Sequence, residues 1–398
     1  MGHARFFPVL ALVFALGAVA CDAQMRGTVH IQEGERCPSG MTEIRPQTCM
    51  APEFEPPAIT DYDPTSMLVT EETMTPRAKF PVVDVHGHAR GLTNAGTIDD
   101  MIGYLDELNI QVYIASDNVS GDRLRQAMDN IRASGHADRF RVMTGIDFSG
   151  VGSPGWAERA VRQLEEDVEA GAVGIGEISK SFGMTTRKAD GSRLAIDDPE
   201  LDPVWQAAGR LGIPVFIHTA EPPAFFEPPT MENERWLELA LFPDRRNYGE
   251  DKIGFEQLMT ERDNVFRKHP ETTFIAAHFG WHGNDLGRAG RLLDEFPNVH
   301  YEVGAVLYEF GRQPRAAREF FIEYQDRVMF GKDSFQPSEY PYFWRVFETT
   351  DEYFDYYRDY HAFWKMYGMD LPDEVLRKLY HENALRLMPG LPREGFQR

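Results

Sequence analysis

Positive charge is what this chain has little of. Its 41 Lys and Arg residues stand against 63 Asp and Glu, a formal net charge of −22 over 398 residues. Phosphate backbones are bound by clustered cations, so this balance excludes nucleic acid as a partner. The excess acid names no substrate, since most of it is solvated surface. No Gly-rich phosphate loop follows the first strand-like run, which disfavours a doubly wound nucleotide-binding sheet. Cysteine is scarce too, with three residues: Cys21, Cys37 and Cys49.

The cysteines are informative by position. Arg5 precedes an apolar run at 6–20 that is too short to span a bilayer comfortably and has the length of a signal segment. The run ends Ala18-Val19-Ala20-Cys21, which resembles a bacterial lipobox. Residues 1–21 are therefore expected to direct export, with Cys21 lipidated as the only membrane anchor. Plain cleavage after Ala20 is the other reading. Either one places the protein in the bacterial cell envelope or periplasm. If Cys21 is lipidated, Cys37 and Cys49 remain as an even pair, and an oxidising compartment would let them join.

Residues 22–78 are expected to form an N-terminal segment and a Pro-rich arm. From there to about residue 392 the texture changes. Apolar runs at 81–86, 111–116, 140–147, 172–178, 213–218, 273–278, 299–304 and 327–332 alternate with amphipathic stretches. The first such helix opens near Thr97, a plausible N-cap; others are expected at 156–168, 203–211, 255–268, 285–296 and 315–325. Eight alternations in about 310 residues predict an α/β fold, a (β/α)8 TIM barrel behind an N-terminal extension.

Several of these runs end in a metal-ligand type. The first reads Val82-Val83-Asp84-Val85-His86-Gly87-His88, and residues two apart on a strand share a face. Others end in His218, His278 and Asp333, and a fourth carries Glu177 near its end. A lone His at a strand end is more often a hydrogen-bonded structural residue. Recurrence at the C-terminal ends of barrel strands, where such folds keep their chemistry, points to one shared cavity. Asp84 precedes the His pair and reads as a structural acid.

The stretches VVDVHGHA, DPELDPVWQAAGRLGIPVFIHTAEP, NERW, TTFIAAHFG, GRQP, YQDRVMFGKDSF and LPDEVLRKLYHENALRL resemble the amidohydrolase superfamily, in its amidohydrolase-related branch of hydrolases, lactonases and decarboxylases. The resemblance covers about residues 78–390. It implies that His86, His88, His218, His278 and Asp333 form the metal and catalytic set. Relatives often carry Lys on the fourth strand where this chain has Glu177. A carboxylate there either bridges two metals or lies behind the ligands in an ion pair. Lys332 replaces the Thr usual before Asp333 and is expected to point away from the cavity.

The implied cofactor is a divalent metal, Zn²⁺ by preference, as one ion or two. It would bring the pKa of a water towards ~7. Asp333 would take that water's proton and pass it to the leaving group. His278 would bind a second metal or polarise the substrate carbonyl. The expected activity is hydrolysis of an amide, ester or lactone in a small molecule. Non-oxidative decarboxylation on the same barrel is the alternative, and a non-catalytic lipid-anchored binding protein comes third. Asp333 argues against the third, because a binder needs no proton-transfer carboxylate. Lys180, Glu221, Arg235, Trp281, His282, Tyr308 and Arg312 are candidate substrate contacts, with rim packing as the plainer role for each. Residues 222–250 read as a loop over the barrel mouth. A homo-oligomer stays open.

Overall fold

The computed structural model describes residues 27–178, 180–361 and 364–396. The expected signal segment and Cys21 lie outside the described residues. Two compact units divide at Ser66 and Met67.

The first unit holds a three-stranded antiparallel sheet. Its strands are β1 (Thr28–His30), β2 (Thr42–Arg45) and β3 (Thr48–Met50), in the order β1-β3-β2. Cys37 is joined to Cys49, with Cα atoms 5.6 Å apart. Cys49 is fully buried, so the bridge supplies much of what so small a sheet can enclose.

The second unit is the barrel. Its parallel strands are β4 (Val82–His88), β5 (Ile110–Val119), β6 (Phe140–Thr144), β7 (Val215–Ile217), β8 (Phe274–Ala276), β9 (Val299–Glu302), and a last strand broken into β10 (Val328–Met329) and β11 (Asp333–Ser334). Between β6 and β7 the run at 172–178 serves as the fourth strand. Only Ile175 forms a ladder bridge, to Thr144 on one side and Val215 on the other. Its neighbours nevertheless bond both strands, Val173 N to Val142 O and Ile178 N to Phe216 O. The regular ladder is short because the chain runs too close to β5: a Cβ on Gly176 would lie 2.6 Å from Ser116 O. β11 pairs β4, Asp333 opposite Gly87 and Ser334 opposite His88, and this closes the cylinder.

The α-helices among the described residues are α1 (Ala95–Leu108), α2 (Asp122–Ala133), α3 (Trp156–Ala170), α4 (Asp202–Leu211), α5 (Trp236–Leu241), α6 (Phe255–Lys268), α7 (Leu286–Glu295), α8 (Leu307–Arg312), α9 (Pro314–Glu323), α10 (Tyr340–Glu348), α11 (Asp373–Arg377) and α12 (Asn383–Leu387). The sequence reading missed α2, α5, α8, α10, α11 and α12. It also misplaced a cap. α1 starts two residues before Thr97, and Asn94 accepts a hydrogen bond from Gly96 N at 3.0 Å. Asp285 caps α7 in the same manner, accepting from Arg288 N at 2.8 Å.

One apolar cluster draws Val83 and Val85 from β4, Val112 and Ile114 from β5, Met143, Val173, Phe216, Ile275 and Met329 from the other strands. Residues contributed from so many strands can meet only inside the cylinder. Ala384, Met388 and Phe396, near the C-terminus, join this cluster and seal the cylinder's floor, opposite the end where the histidines gather.

Candidate metal centre and active site

β4 departs from simple alternation just below the site. Its register against β5 shifts between Asp84 and Gly87. Asp84 turns to Tyr340 at the start of α10, accepting from its hydroxyl at 2.7 Å, and also accepts from the backbone of His86 and Lys332. His86 faces inward instead, its ring 4.6 Å from Phe216 of the interior cluster. Room for it exists because residue 331 has no side chain. A Cβ there would fall 2.6 Å from His86 Cβ and 2.5 Å from Glu302 Oε2.

Glu177 is the centre of the site, fixed by its backbone N–H to Ser116 O at 2.8 Å. Its Oε1 lies 2.6 Å from His218 Nδ1, 3.1 Å from His278 Nε2 and 3.4 Å from His86 Nε2. Its Oε2 lies 3.0 Å from His88 Nε2. The two facing nitrogens of His86 and His88 are 3.3 Å apart. Asp333 stands at the edge, Oδ1 3.6 Å from His88 Nε2, and its carboxylate accepts no hydrogen bond from a described residue.

Two carboxylates that the sequence reading passed over hold the imidazoles from behind. Glu302, wholly buried at the end of β9, lies 3.0 Å from His86 Nδ1 and accepts from the backbone of His278 and Gly304, both at 2.6 Å. Asp117, on β5, lies 3.3 Å from His88 Nδ1 and accepts from the N–H groups of Ala89 and Gly91. His278 Nδ1 meets Gly304 O at 2.9 Å. Such partners fix ring orientation and tautomer in metal-bound histidines. Asp117 directly follows the apolar run at 111–116, and Glu302 lies near the end of the run at 299–304. The rule that selected His218 and His278 would have found them.

Electrostatics agree with a cation-binding set. Burial works against charge on His86, yet Glu302 and then Glu177 hold the imidazole well above its ordinary value. Burial likewise opposes charge on Glu177, while His218 and then His86 hold its carboxyl well below the usual range. His88 is held at about 9, against burial, by Asp117 and Glu177. The surroundings favour positive charge on these donors, and a bound metal would compete with protons for the same atoms. Among the described residues, three overlapping donor groups have ligand atoms within 4.8 Å of one another: His86, His88 and Glu177; Glu177, His218 and His278; and His86, His278 and Glu302. Nitrogen and carboxylate donors in this number fit zinc or a similar divalent ion.

The strand ends are also where the backbone is least relaxed. His278, Phe279, Gly280 and Trp281 all have φ between 53° and 58°, a full left-handed turn after β8. Ala220, Ala305 and Asp333 are left-handed as well. Arg262, fully buried, donates to Gly280 O at 2.8 Å and holds the turn from below.

A cavity of about 370 Å³ opens above Glu177, His218, His278 and Asp333. Of the expected substrate contacts, Lys180, Glu221, Arg235, Trp281 and Tyr308 line it. Arg235 is already committed, bonded to Glu238 at 2.6 Å and to His361 at 3.1 Å. Two expected contacts are elsewhere. The left-handed turn carries His282 away, into a separate surface cavity beside Phe255 and Arg288. Arg312 does not line the cavity; it binds Glu309 and Glu234 and stacks 3.8 Å over Trp364. Lys332 is buried, bonded to Ser334 O and Glu339. The loop at 222–250 sends Phe225 and Arg235 to the wall, while Trp236 is exposed. Arg358 lines the same cavity and was not foreseen.

A closed parallel barrel whose strand ends gather four imidazoles about one carboxylate defines a metal-binding barrel enzyme. The profile of the amidohydrolase family matches residues 83–389. The chain belongs to that family, one of metal-dependent hydrolases and decarboxylases.

None of the curated proteins matches the chain. Among solved structures, an uncharacterized TIM-barrel protein from Bordetella bronchiseptica aligns at 14% identity over 77% of this chain and 98% of its own, with a TM-score of 0.45. A 4-oxalomesaconate hydratase from Rhodopseudomonas palustris aligns at 14% over 77% and 95%, TM-score 0.44. IDCase from Metarhizium anisopliae aligns at 15% over 73% and 78%, TM-score 0.43. Likeness at this level carries no argument about chemistry.

Proposed function

We propose that this chain is a two-metal hydrolase that cleaves an amide, ester or lactone in a small molecule. The carrying observation is that Glu177 presents one oxygen to His88 and the other to His218 and His278. His86 and His88 would hold one ion, His218 and His278 the other, with Glu177 shared. When bound, a divalent ion, Zn²⁺ by preference, supplies Lewis acidity and an acidified water.

The protein's own groups do the rest. Asp333, which accepts no hydrogen bond from a described residue, accepts the proton of the attacking water and returns it to the leaving group. Trp281 and Tyr308 wall the cavity and keep bulk water from the reacting carbonyl. Glu302 and Asp117 hold the imidazoles so that little reorganisation is needed. Export through residues 1–21, with lipidation at Cys21, belongs to the same reading: a scavenging hydrolase at the cell envelope.

Metal content per chain, measured by elemental mass spectrometry on protein lacking residues 1–21, tests this. Two ions per chain, falling to one or none in Glu177→Gln, is the expected result. A single ion with Glu177→Gln unchanged would remove the bridge, and CO₂ release in place of carbonyl cleavage would turn the assignment to decarboxylation.

A further inference from the structure

The cavity contains four cationic side chains, and three are spoken for. Lys180 Nζ lies 3.3 Å from Glu221. Arg235 and Arg245 both bind Glu238. The guanidinium of the fourth, Arg358, makes neither a hydrogen bond nor an ion pair with any described residue; only its backbone carbonyl is engaged, accepting from His361 N at 3.0 Å. Its guanidinium sits 5.4 Å from the centre of the Tyr357 ring. It is half-buried and lines the cavity whose floor is Glu177, His218, His278 and Asp333.

This is an uncommon way to leave an arginine. Guanidinium carries five N–H donors in a rigid plane, and burial without acceptors forfeits them. The chain is not short of carboxylates, having 63 Asp and Glu against 41 Lys and Arg, yet none among the described residues forms an ion pair with Arg358. The planar fork matches a carboxylate in two parallel hydrogen bonds. The acceptors it lacks are therefore ones that a ligand would bring.

We propose that Arg358 is a specificity residue that seats a carboxylate of the substrate, away from the bond that is cleaved, so that the substrate is an amide, ester or lactone of a dicarboxylic acid. This deepens the proposed function and rests on it for the bond broken, but not for the carboxylate recognised. The substrate is then a half-derivative with one carboxylate free, and its hydrolysis gives the dicarboxylate with release of the amine or alcohol, which for a lactone stays on the product as a hydroxyl. The dicarboxylate engages Arg358 with one carboxylate while the other occupies the floor of the cavity.

Binding tests it independently of turnover. Malonate, glutarate and pimelate, each against its neutral diamide, are titrated calorimetrically into the metal-loaded protein and again into protein stripped by chelation. The parent is expected to prefer at least one diacid over its diamide by about tenfold or more, and to keep part of that preference without metal. Arg358→Gln should lose most of that preference, and Arg358→Lys should keep some of it while losing the two-pronged geometry. Equal binding of diacids and diamides by the parent would overturn the proposal without any variant. So would an Arg358→Gln protein that is folded by circular dichroism and discriminates as the parent does. Failure of the hydrolase reading would show instead as one metal per chain or CO₂ release, with the diacid preference intact.

Discussion

His278 and Trp281 stand on one face of a left-handed turn, their ring centroids 4.6 Å apart. The turn sets a candidate ligand beside a cavity wall. Each non-glycine residue held in this conformation costs about 1–2 kcal/mol, and the surrounding barrel must offset it.

Gly280 is the one residue of that turn with no such cost. Gly280→Ala would place a Cβ 3.0 Å from Arg262 Nη1 and 3.0 Å from the Tyr301 ring, at φ 57°. Stability should fall by about 1–3 kcal/mol. Denaturant unfolding reads this, and an unchanged midpoint would mean that the turn relaxes freely.

Glu302→Gln keeps the shape and removes the charge facing His86 and His278. Metal affinity is expected to weaken by about 10–100-fold, as for other partners behind metal-bound histidines. Competition with a chromogenic chelator measures it. Affinity equal to the parent's would reduce Glu302 to a packing role.

Asp333→Asn should retain metal and lose turnover by about 10²–10⁴-fold, the range for a positioned proton-transfer group. Loss of metal together with activity would instead make Asp333 a ligand.

His300 gives the folded protein a defined weakness in acid. Burial, then Arg327 and Arg386, push its imidazole down to about 3, against an ordinary 6.5. Between those values the unfolded chain takes a proton that the folded chain refuses. Its contribution is therefore complete above pH 6.5 and declines as pH falls towards 3, by at most ~1.4 kcal/mol per unit. His300→Gln should flatten the stability–pH curve in that window. Superimposable curves would show that the side chain is protonated in the fold or titrates elsewhere.

The cap of α1 separates two readings of one stretch. Asn94→Ala should cost about 1 kcal/mol and Thr97→Ala much less, because the side chain that accepts from Gly96 N is Asn94. Equal costs, read from thermal melts, would contradict the assignment.

What could be read from the chain was what repeats. Apolar runs ending in His86, His218, His278 and Asp333 were visible because barrel strands share one direction, and their ends share one face. Glu302, inside its run, and Asp117, just after its run, followed the same pattern, but those runs were read only as strands. His282 failed for a different reason. No pattern of polarity announces four successive left-handed residues, and they carry the chain out of the cavity. The fourth strand was expected in full and has one bridged residue, because at Gly176 it runs too close to β5 for regular pairing. Arg358 comes from a Tyr-rich stretch far along the chain, and only folding brings it over the floor.

Closing the cylinder joins Asp333 and Ser334 to the strand that holds His86 and His88, and Met388 and Phe396 then stop its lower end. Both steps need the last sixth of the polypeptide. A nascent chain stalled before them has the four imidazoles of His86, His88, His218 and His278 already synthesised but no enclosed interior, so ligand assembly must wait for the final residues. Completion of synthesis is in this sense the trigger for the site, and a C-terminal truncation that leaves every ligand in place should still yield an inactive product.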